Sequence, residues 1–139
     1  MIPKRRPRNW LVQIASRQLD EPKRMATIVR DILEPLVLIS MKDIEAGKVP
    51  PLYSSKVYFK PEKRGVETFV DALQTYQTGF GDCAHLSVWL CAEYRSKGEK
   101  ASIAIQWILP KGFRLFHVVV RRENGTLEDP SAILGMGRR

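Results

Sequence analysis

The hydrophobic pattern of this chain changes its period once, just after Gly98. Upstream, apolar residues recur at helical spacing, most clearly over residues 24–46. Downstream, ASIAIQWIL (101–109) alternates, which is typical of a strand that buries one face. A chain that places its helices first and its strands last, as sequence neighbours, favours an α+β fold. We therefore expect N-terminal helices packed on a small antiparallel β-sheet.

The boundaries of the predicted elements follow from the glycines and prolines between the periodic stretches. In chain order, we first expect a helix over 24–46 that breaks near Glu34 because of Pro35 and ends at Gly47, followed by a short strand around Val57–Phe59 and a helix over about 66–77. A turn at Gly79–Gly81 then leads into a helix from Asp82 to about Lys97. Next we expect strands over 101–109 and 113–122, joined by a turn at 110–112, and, after an Asn124-Gly125 hairpin, a short strand that Pro130 stops.

The charge of the chain is concentrated at its ends. The net charge is +8, and residues 1–24 carry seven basic and two acidic groups, a net +5. We expect residues 1–24 to form a basic arm and residues 25–139 a single domain, since 139 residues suit one core. A solvated arm is the favoured interpretation, and weak contact with an acidic partner or nucleic acid is the alternative.

No run of about 18 apolar residues is present, so we expect no membrane span. The N-terminal apolar stretch is interrupted by Gln13, Ser16 and Arg17 and lacks the continuous apolar core of a signal peptide. The expected location is therefore a reducing compartment.

The two cysteines have different expected roles. Cys83 follows Asp82 at the start of a predicted helix, where backbone N–H groups stabilise a thiolate and lower the thiol pKa from its usual value of about 8.5. Cys91 lies eight residues further along, about 12 Å away on one helix, which is too far for a disulfide. We expect Cys91 to be a packed apolar residue.

A catalytic thiolate needs a histidine to move its proton and a carboxylate to hold that histidine. His85 lies about 200° around the helix from Cys83 and would point elsewhere. His117 lies within a strand of aliphatic residues and requires a polar partner, for which Asp129 is the best candidate. Taken singly, each of these residues is more often structural, but their order along the chain forms a constellation.

The hairpin register decides whether Asp129 can reach His117. A two-residue loop would place the two side chains on opposite faces of the sheet, and Glu128 would then become the candidate. A three-residue loop over 123–125 pairs 122 with 126 and 119 with 129, which makes Asp129 a diagonal neighbour of His117 on the same face. We therefore expect a three- or five-residue loop with Gly125 at positive φ.

The segments GFGDCAHL, FHVVV and LEDP, over about residues 76–132, resemble the transglutaminase-like superfamily, a group related to papain. The resemblance implies a papain/transglutaminase-like core, a Cys83–His117–Asp129 triad, thiol-dependent acyl transfer on a peptide or protein amide, and no cofactor or metal. Residues 50–80 further resemble small members of this superfamily encoded by tailed phages, which implies the host cytoplasm or a virion, with virion proteins as partners. Such relatives often carry acidic residues after the cysteine, where this chain has Ala84-His85.

The substrate side of the predicted site involves a glutamine and two tryptophans. Gln77 lies six residues before the cysteine, like the oxyanion glutamine of papain-like proteases, although an exposed glutamine at a helix end is the commoner case. Trp89 and Trp107 are expected in the core, and Trp107 could instead form a wall of a substrate cleft.

The leading hypothesis for function is a cysteine amide hydrolase or acyltransferase. Hydrolysis is favoured over amine transfer, because transfer needs a water-poor acceptor site and the domain is small. The alternatives are a virion structural or assembly protein that keeps the fold with little turnover, and a nucleic-acid-binding module that uses the basic ends.

Overall fold

The α+β prediction is confirmed by a computed structural model of the chain, which describes residues 22–63, 68–108 and 115–137. The described elements, in chain order, are α1 (Pro22–Glu45), a 3₁₀ turn (Leu52–Ser54), β1 (Tyr58–Phe59), α2 (Ala72–Thr78), β2 (Phe80–Gly81), α3 (Cys83–Ser96), β3 (Ser102–Ile108), β4 (Leu115–Arg121), β5 (Leu127–Glu128) and α4 (Pro130–Ile133).

Helix α3 is the centre of the fold. Every residue from Ala84 to Glu93 is buried, so this helix has no solvent face over most of its length. It packs against α1 on one side and against β4 on another. Asp82 caps its N-terminus and Gly98, at φ +89°, follows its C-cap Lys97, as the sequence predicted. The position of Cys83 is therefore fixed by the most deeply buried element of the protein.

Helix α1 runs without interruption through Pro35, so the predicted break near Glu34 is wrong. Pro35 is exposed, and the buried stripe of the helix continues on both sides of it. Because the proline removes a backbone hydrogen bond, it destabilises the helix by about 3 kcal/mol, and packing of the buried stripe against α3 offsets this loss. The stripe comprises Met25, Val29, Leu33, Leu36 and Val37.

Strands β3, β4 and β5 form the predicted antiparallel meander, in that spatial order. Ile105 pairs with Val118, and Gln106 pairs with His117. The odd-numbered residues of β3 and the even-numbered residues of β4 pack on the helical core, which confirms the predicted alternation over residues 101–107. Because faces alternate along each strand, His117 and Gln106 lie on the opposite face of the sheet.

Two short segments differ from the sequence-based expectation. Phe80–Gly81 is a strand that pairs in parallel with β1, so only Gly79, the left-handed C-cap of α2, forms the turn expected at 79–81. Helix α2 starts at Ala72 rather than at 66, because residues 68–70 are irregular and the Asp71 carboxylate caps the helix by accepting from the Gln74 N–H.

Several predictions lie outside the described residues. These are the turn at 110–112, the predicted strand residues 109, 113 and 114 that flank it, and residues 1–21 of the predicted basic arm. Residues 22–24 of that arm belong to the first turn of α1.

Candidate active site

The β4–β5 hairpin has a three-residue loop, one of the two lengths predicted from the alternation of faces along a strand. Arg121 pairs with Leu127, and the Arg122 N–H donates to the Thr126 carbonyl at 2.8 Å, which leaves residues 123–125 as the loop. Gly125 has φ +88°, a conformation that a side chain disfavours. The same register places residue 129 opposite 119, on the His117 face of the sheet.

His117 and Asp129 are hydrogen-bonded to each other. Nε2 of the imidazole lies 2.7 Å from Oδ2 of the carboxylate. The His117 side chain is 8% exposed and that of Asp129 is 30% exposed, so the pair is largely shielded from water. Because a carboxylate can only accept, Nε2 carries a proton and Nδ1 is the nitrogen that can exchange one. Nδ1 has no hydrogen-bond partner in the described part of the chain.

The other carboxylate oxygen of Asp129 accepts hydrogen bonds from the backbone. Oδ1 accepts from the Ser131 and Ala132 N–H groups at 3.1 and 3.3 Å, so Asp129 is also the N-cap of α4. Pro130 was expected to end a strand, and helix α4 was not predicted. An aspartate followed by proline is a frequent N-cap and first helical residue, and this signal was available in the sequence.

Glu128 is not a substitute for Asp129. Its carboxylate accepts from the hydroxyls of Tyr53 and Tyr94, the latter at 2.7 Å, and lies 3.7 Å from the Arg122 guanidinium. It is therefore engaged with groups that lie away from the imidazole.

Two contacts fix how α3 lies along β4. The Ser87 hydroxyl, which is fully buried, donates to the Val118 carbonyl at 2.9 Å. Two turns later, the Arg122 guanidinium lies 4.1 Å from the ring centroid of Tyr94. The residue numbers of the two contacts increase along α3 and along the β4 chain together, so the helix and the strand run in the same direction.

This alignment brings the start of α3 level with His117. Cys83 is one turn before Ser87 on the same side of the helix, a rise of about 6 Å. That distance corresponds to about two residues of a strand, which takes the contact from Val118 back to about Phe116. Along the strand direction, the half-buried Cys83 thus lies within about one residue of His117, on the side of β4 that α3 covers, whereas the His117 side chain projects from the other face of the sheet.

His85 has a structural role at the same helix end. Its Nδ1 accepts from the Asp82 N–H at 3.1 Å, while the Asp82 carboxylate accepts from the Ala84 and His85 N–H groups, which completes a capping box. Nε2 donates to the Thr68 carbonyl at 2.6 Å. Both ring nitrogens are engaged by backbone groups, so His85 cannot act as the general base. The Asp-x-x-His spacing is a local sequence signal for this capping box.

A cluster of possible metal ligands surrounds this box. One ligand atom from each of Glu62, Asp82 and His85 lies within 4.8 Å of the others. However, the His85 nitrogens are occupied, and the Glu62 carboxylate accepts from the Thr68 N–H at 2.9 Å. Burial raises the pKa of Asp82, which the His85 ring and two amide donors oppose. The cluster therefore supports the start of α3 through these hydrogen bonds.

The remaining predicted residues divide into core and surface. Cys91 is buried, and burial raises the pKa of its thiol to about 11, which makes it inert near neutral pH. Trp89 is a core residue as predicted, with Nε1 donating to the Pro50 carbonyl at 3.1 Å. Trp107 packs on the core side of β3, edge-on to Phe116. Gln77 is exposed in the last turn of α2, where it makes no hydrogen bond to a described residue.

Comparisons with known proteins found no matching family model, curated protein or solved structure. Among the described residues, no helix combines the length and the apolar character that crossing a membrane would require.

Proposed function

We propose that this protein is a thiol-dependent amide hydrolase or acyltransferase of the transglutaminase-like type, with Cys83 as nucleophile, His117 as acid and base, and Asp129 as the residue that orients the imidazole. The observation that carries the proposal is the 2.7 Å bond between His117 Nε2 and Asp129 Oδ2. It orients a shielded imidazole through Nε2, and Cys83 begins the helix that packs on the same strand. The sequence resemblance adds support, and a phage-encoded protein acting in the host cytoplasm or in a virion remains part of the proposal.

The reaction would proceed through a thioester. Nδ1 of His117 takes the proton of the Cys83 thiol, and Sγ attacks the carbonyl carbon of an amide. The backbone N–H of Cys83, at the positive end of α3, is a candidate donor to the developing oxyanion. The C–N bond then breaks as the imidazolium returns its proton to the leaving amine. Asp129 stabilises the imidazolium in the meantime without taking the proton itself.

A second nucleophile completes the cycle. Water gives up a proton to Nδ1, attacks the thioester and releases a carboxylic acid and the Cys83 thiol. An amine in place of water would give a new amide, which is the transferase outcome. We favour hydrolysis, because an acceptor-amine site that excludes water needs more enclosing structure than a small domain offers.

An activated ester tests the proposal without knowledge of the natural substrate. p-Nitrophenyl acetate is mixed with the wild type and with Cys83→Ala, His117→Ala and Cys91→Ala. Release of p-nitrophenol and the mass of the protein are followed together. We expect a burst with one acetyl group on Cys83, unchanged in Cys91→Ala, absent in Cys83→Ala and at least about 100-fold slower in His117→Ala. Equal slow acetylation of wild type and Cys83→Ala would contradict the proposal and favour the structural alternative.

A further inference from the structure

A groove of about 630 Å³ lies between the N-terminal half of α1 and β3. From α1 it is lined by Lys23, Ala26, Thr27 and Arg30, which share one helix face. From β3 it is lined by Trp107 and by the four consecutive residues 102–105. Their side chains point alternately to the two faces of the sheet, so a single groove that all four line must follow the edge of the strand.

This edge of the sheet offers backbone hydrogen bonds. β3 is the outer strand of the three-stranded sheet, and β4 is its partner on the inner side. In the described part of the chain, only β4 hydrogen-bonds to the backbone of Ser102–Ile108. An exposed strand edge is a template for another strand, and extended peptides commonly add to such an edge in the space beside a helix.

The charge of the groove selects its occupant. Lys23, Arg30 and Arg121 line it. Among the described residues, no carboxylate lines the groove, and none of the three cations forms an ion pair there. Ile103 and Trp107 supply an apolar part of the wall. The chain's first 21 residues carry five basic and two acidic groups, a net +3, and a second copy of the chain carries +8. Both would be repelled, so the fitting occupant is acidic and comes from another protein.

We propose that this α1–β3 groove binds an extended acidic peptide segment of a partner protein, which adds to β3 as a further antiparallel or parallel strand. Backbone hydrogen bonds to the β3 edge would provide affinity, and the three cations would select acidic side chains. β4 lies between β3 and β5, the strand that precedes Asp129, so this binding does not rest on the proposed catalytic function.

The test is fluorescence anisotropy with a labelled ten-residue peptide that alternates Glu and Val. Arg30→Gln and Arg121→Gln each remove one groove cation, and Arg24→Gln removes an exposed cation of α1 that does not line the groove. Thr27→Trp fills the groove without a change of charge. A second peptide of the same sequence, N-methylated at alternate amides, keeps the charge and loses the ability to pair as a strand.

We expect Arg30→Gln and Arg121→Gln each to raise Kd about threefold to fivefold, and the double variant about tenfold or more. Thr27→Trp and N-methylation should each weaken binding by at least about tenfold, and Arg24→Gln should leave it unchanged. Equal binding of the N-methylated peptide, an equal loss in Arg24→Gln, or no binding at all would overturn the proposal. Tighter, groove-dependent binding of a single-stranded oligonucleotide would overturn it in favour of a phosphate site.

Discussion

Replacing Asp129 by asparagine separates the two roles of this carboxylate. In the wild type, Oδ1 caps α4 by accepting from the Ser131 and Ala132 N–H groups, and Oδ2 accepts from Nε2 of His117. An asparagine has only one acceptor oxygen. If it turned its NH₂ group toward the cap, that group would face two backbone donors, so the oxygen must stay on the cap and the NH₂ group must face the imidazole.

Asp129→Asn is therefore expected to reverse the tautomer of neutral His117. The asparagine NH₂ would donate to Nε2, which forces the ring proton onto Nδ1. A protonated Nδ1 cannot accept a proton from Cys83, so the base is lost although every side chain is still in place. By analogy with the same exchange in Ser-His-Asp enzymes, we expect acyl transfer to fall by about 10²–10⁴-fold.

The expected change in stability is small by comparison. Asparagine caps a helix about as well as aspartate does. A charge-assisted hydrogen bond is replaced by a neutral one, which costs about 1 kcal/mol of unfolding free energy. Asp129→Ala, in contrast, loses the cap as well, for a total of about 2–3 kcal/mol.

Nitrogen-15 NMR of the imidazoles at alkaline pH reads the tautomer directly. The chain has two histidines, and His85 provides an internal control because Asp82 N–H fixes its proton on Nε2 in both proteins. We expect the proton of His117 to move from Nε2 to Nδ1 in Asp129→Asn while His85 stays unchanged. An unchanged His117 tautomer together with wild-type activity would refute the role assigned to Asp129.

Three further predictions concern neighbouring residues. His117→Ala should abolish acyl transfer, whereas His85→Ala should keep most of the activity per folded molecule. His85→Ala should lose about 2–3 kcal/mol of unfolding free energy in a urea titration, because two backbone partners of the His85 ring become unpaired. A fully stable but inactive His85→Ala would contradict this. Gly81→Ala should cost about 1–3 kcal/mol, because its Cβ would lie 2.8 Å from His85 Cβ and 3.0 Å from Thr75 Cγ2. An unchanged thermal midpoint would show that the start of α3 can shift freely. Burial raises the pKa of Cys91 from 9.0 to about 11, so the folded state loses stability as pH rises through that window. The unfolding free energy of Cys91→Ala relative to that of the wild type should therefore rise by roughly 2 kcal/mol between about pH 8 and about pH 10.5. A relative stability that does not change with pH would refute the raised pKa of Cys91.

The hairpin shows what the sequence could determine. Faces alternate along a strand, so a contact between His117 and Asp129 required an odd-numbered loop, and Gly125 supplied the conformation for it. The start of α3 could be predicted for the same reason, because Asp82 caps the helix by accepting from the amides of residues next to it in the sequence. Both features depend on residues within about a dozen positions of one another.

The errors arose where distant segments decide the outcome. Pro35 would break an isolated helix, but α1 gains more from packing on α3, which lies about 50 residues further along the chain. The parallel pairing of β1 with β2 joins Tyr58 to Phe80 over two residues each, a length too short to leave a periodic pattern. Helix α4 is an exception among these errors, because its start is marked by a local signal. Asp129-Pro130 is typical of an N-cap and a first helical residue, but it was interpreted only as a strand end.

The reactivity of Cys83 tests the central claim most directly. The rate of alkylation by iodoacetamide at neutral pH is measured for Cys91→Ala, which leaves Cys83 as the one thiol of the chain, and for the same protein with His117→Ala added. We expect Cys83 to react much faster than a free cysteine peptide, and removal of His117 to slow it by at least about tenfold. A rate no higher than that of the free peptide and unaffected by His117→Ala would contradict the proposed thiol–imidazole pair.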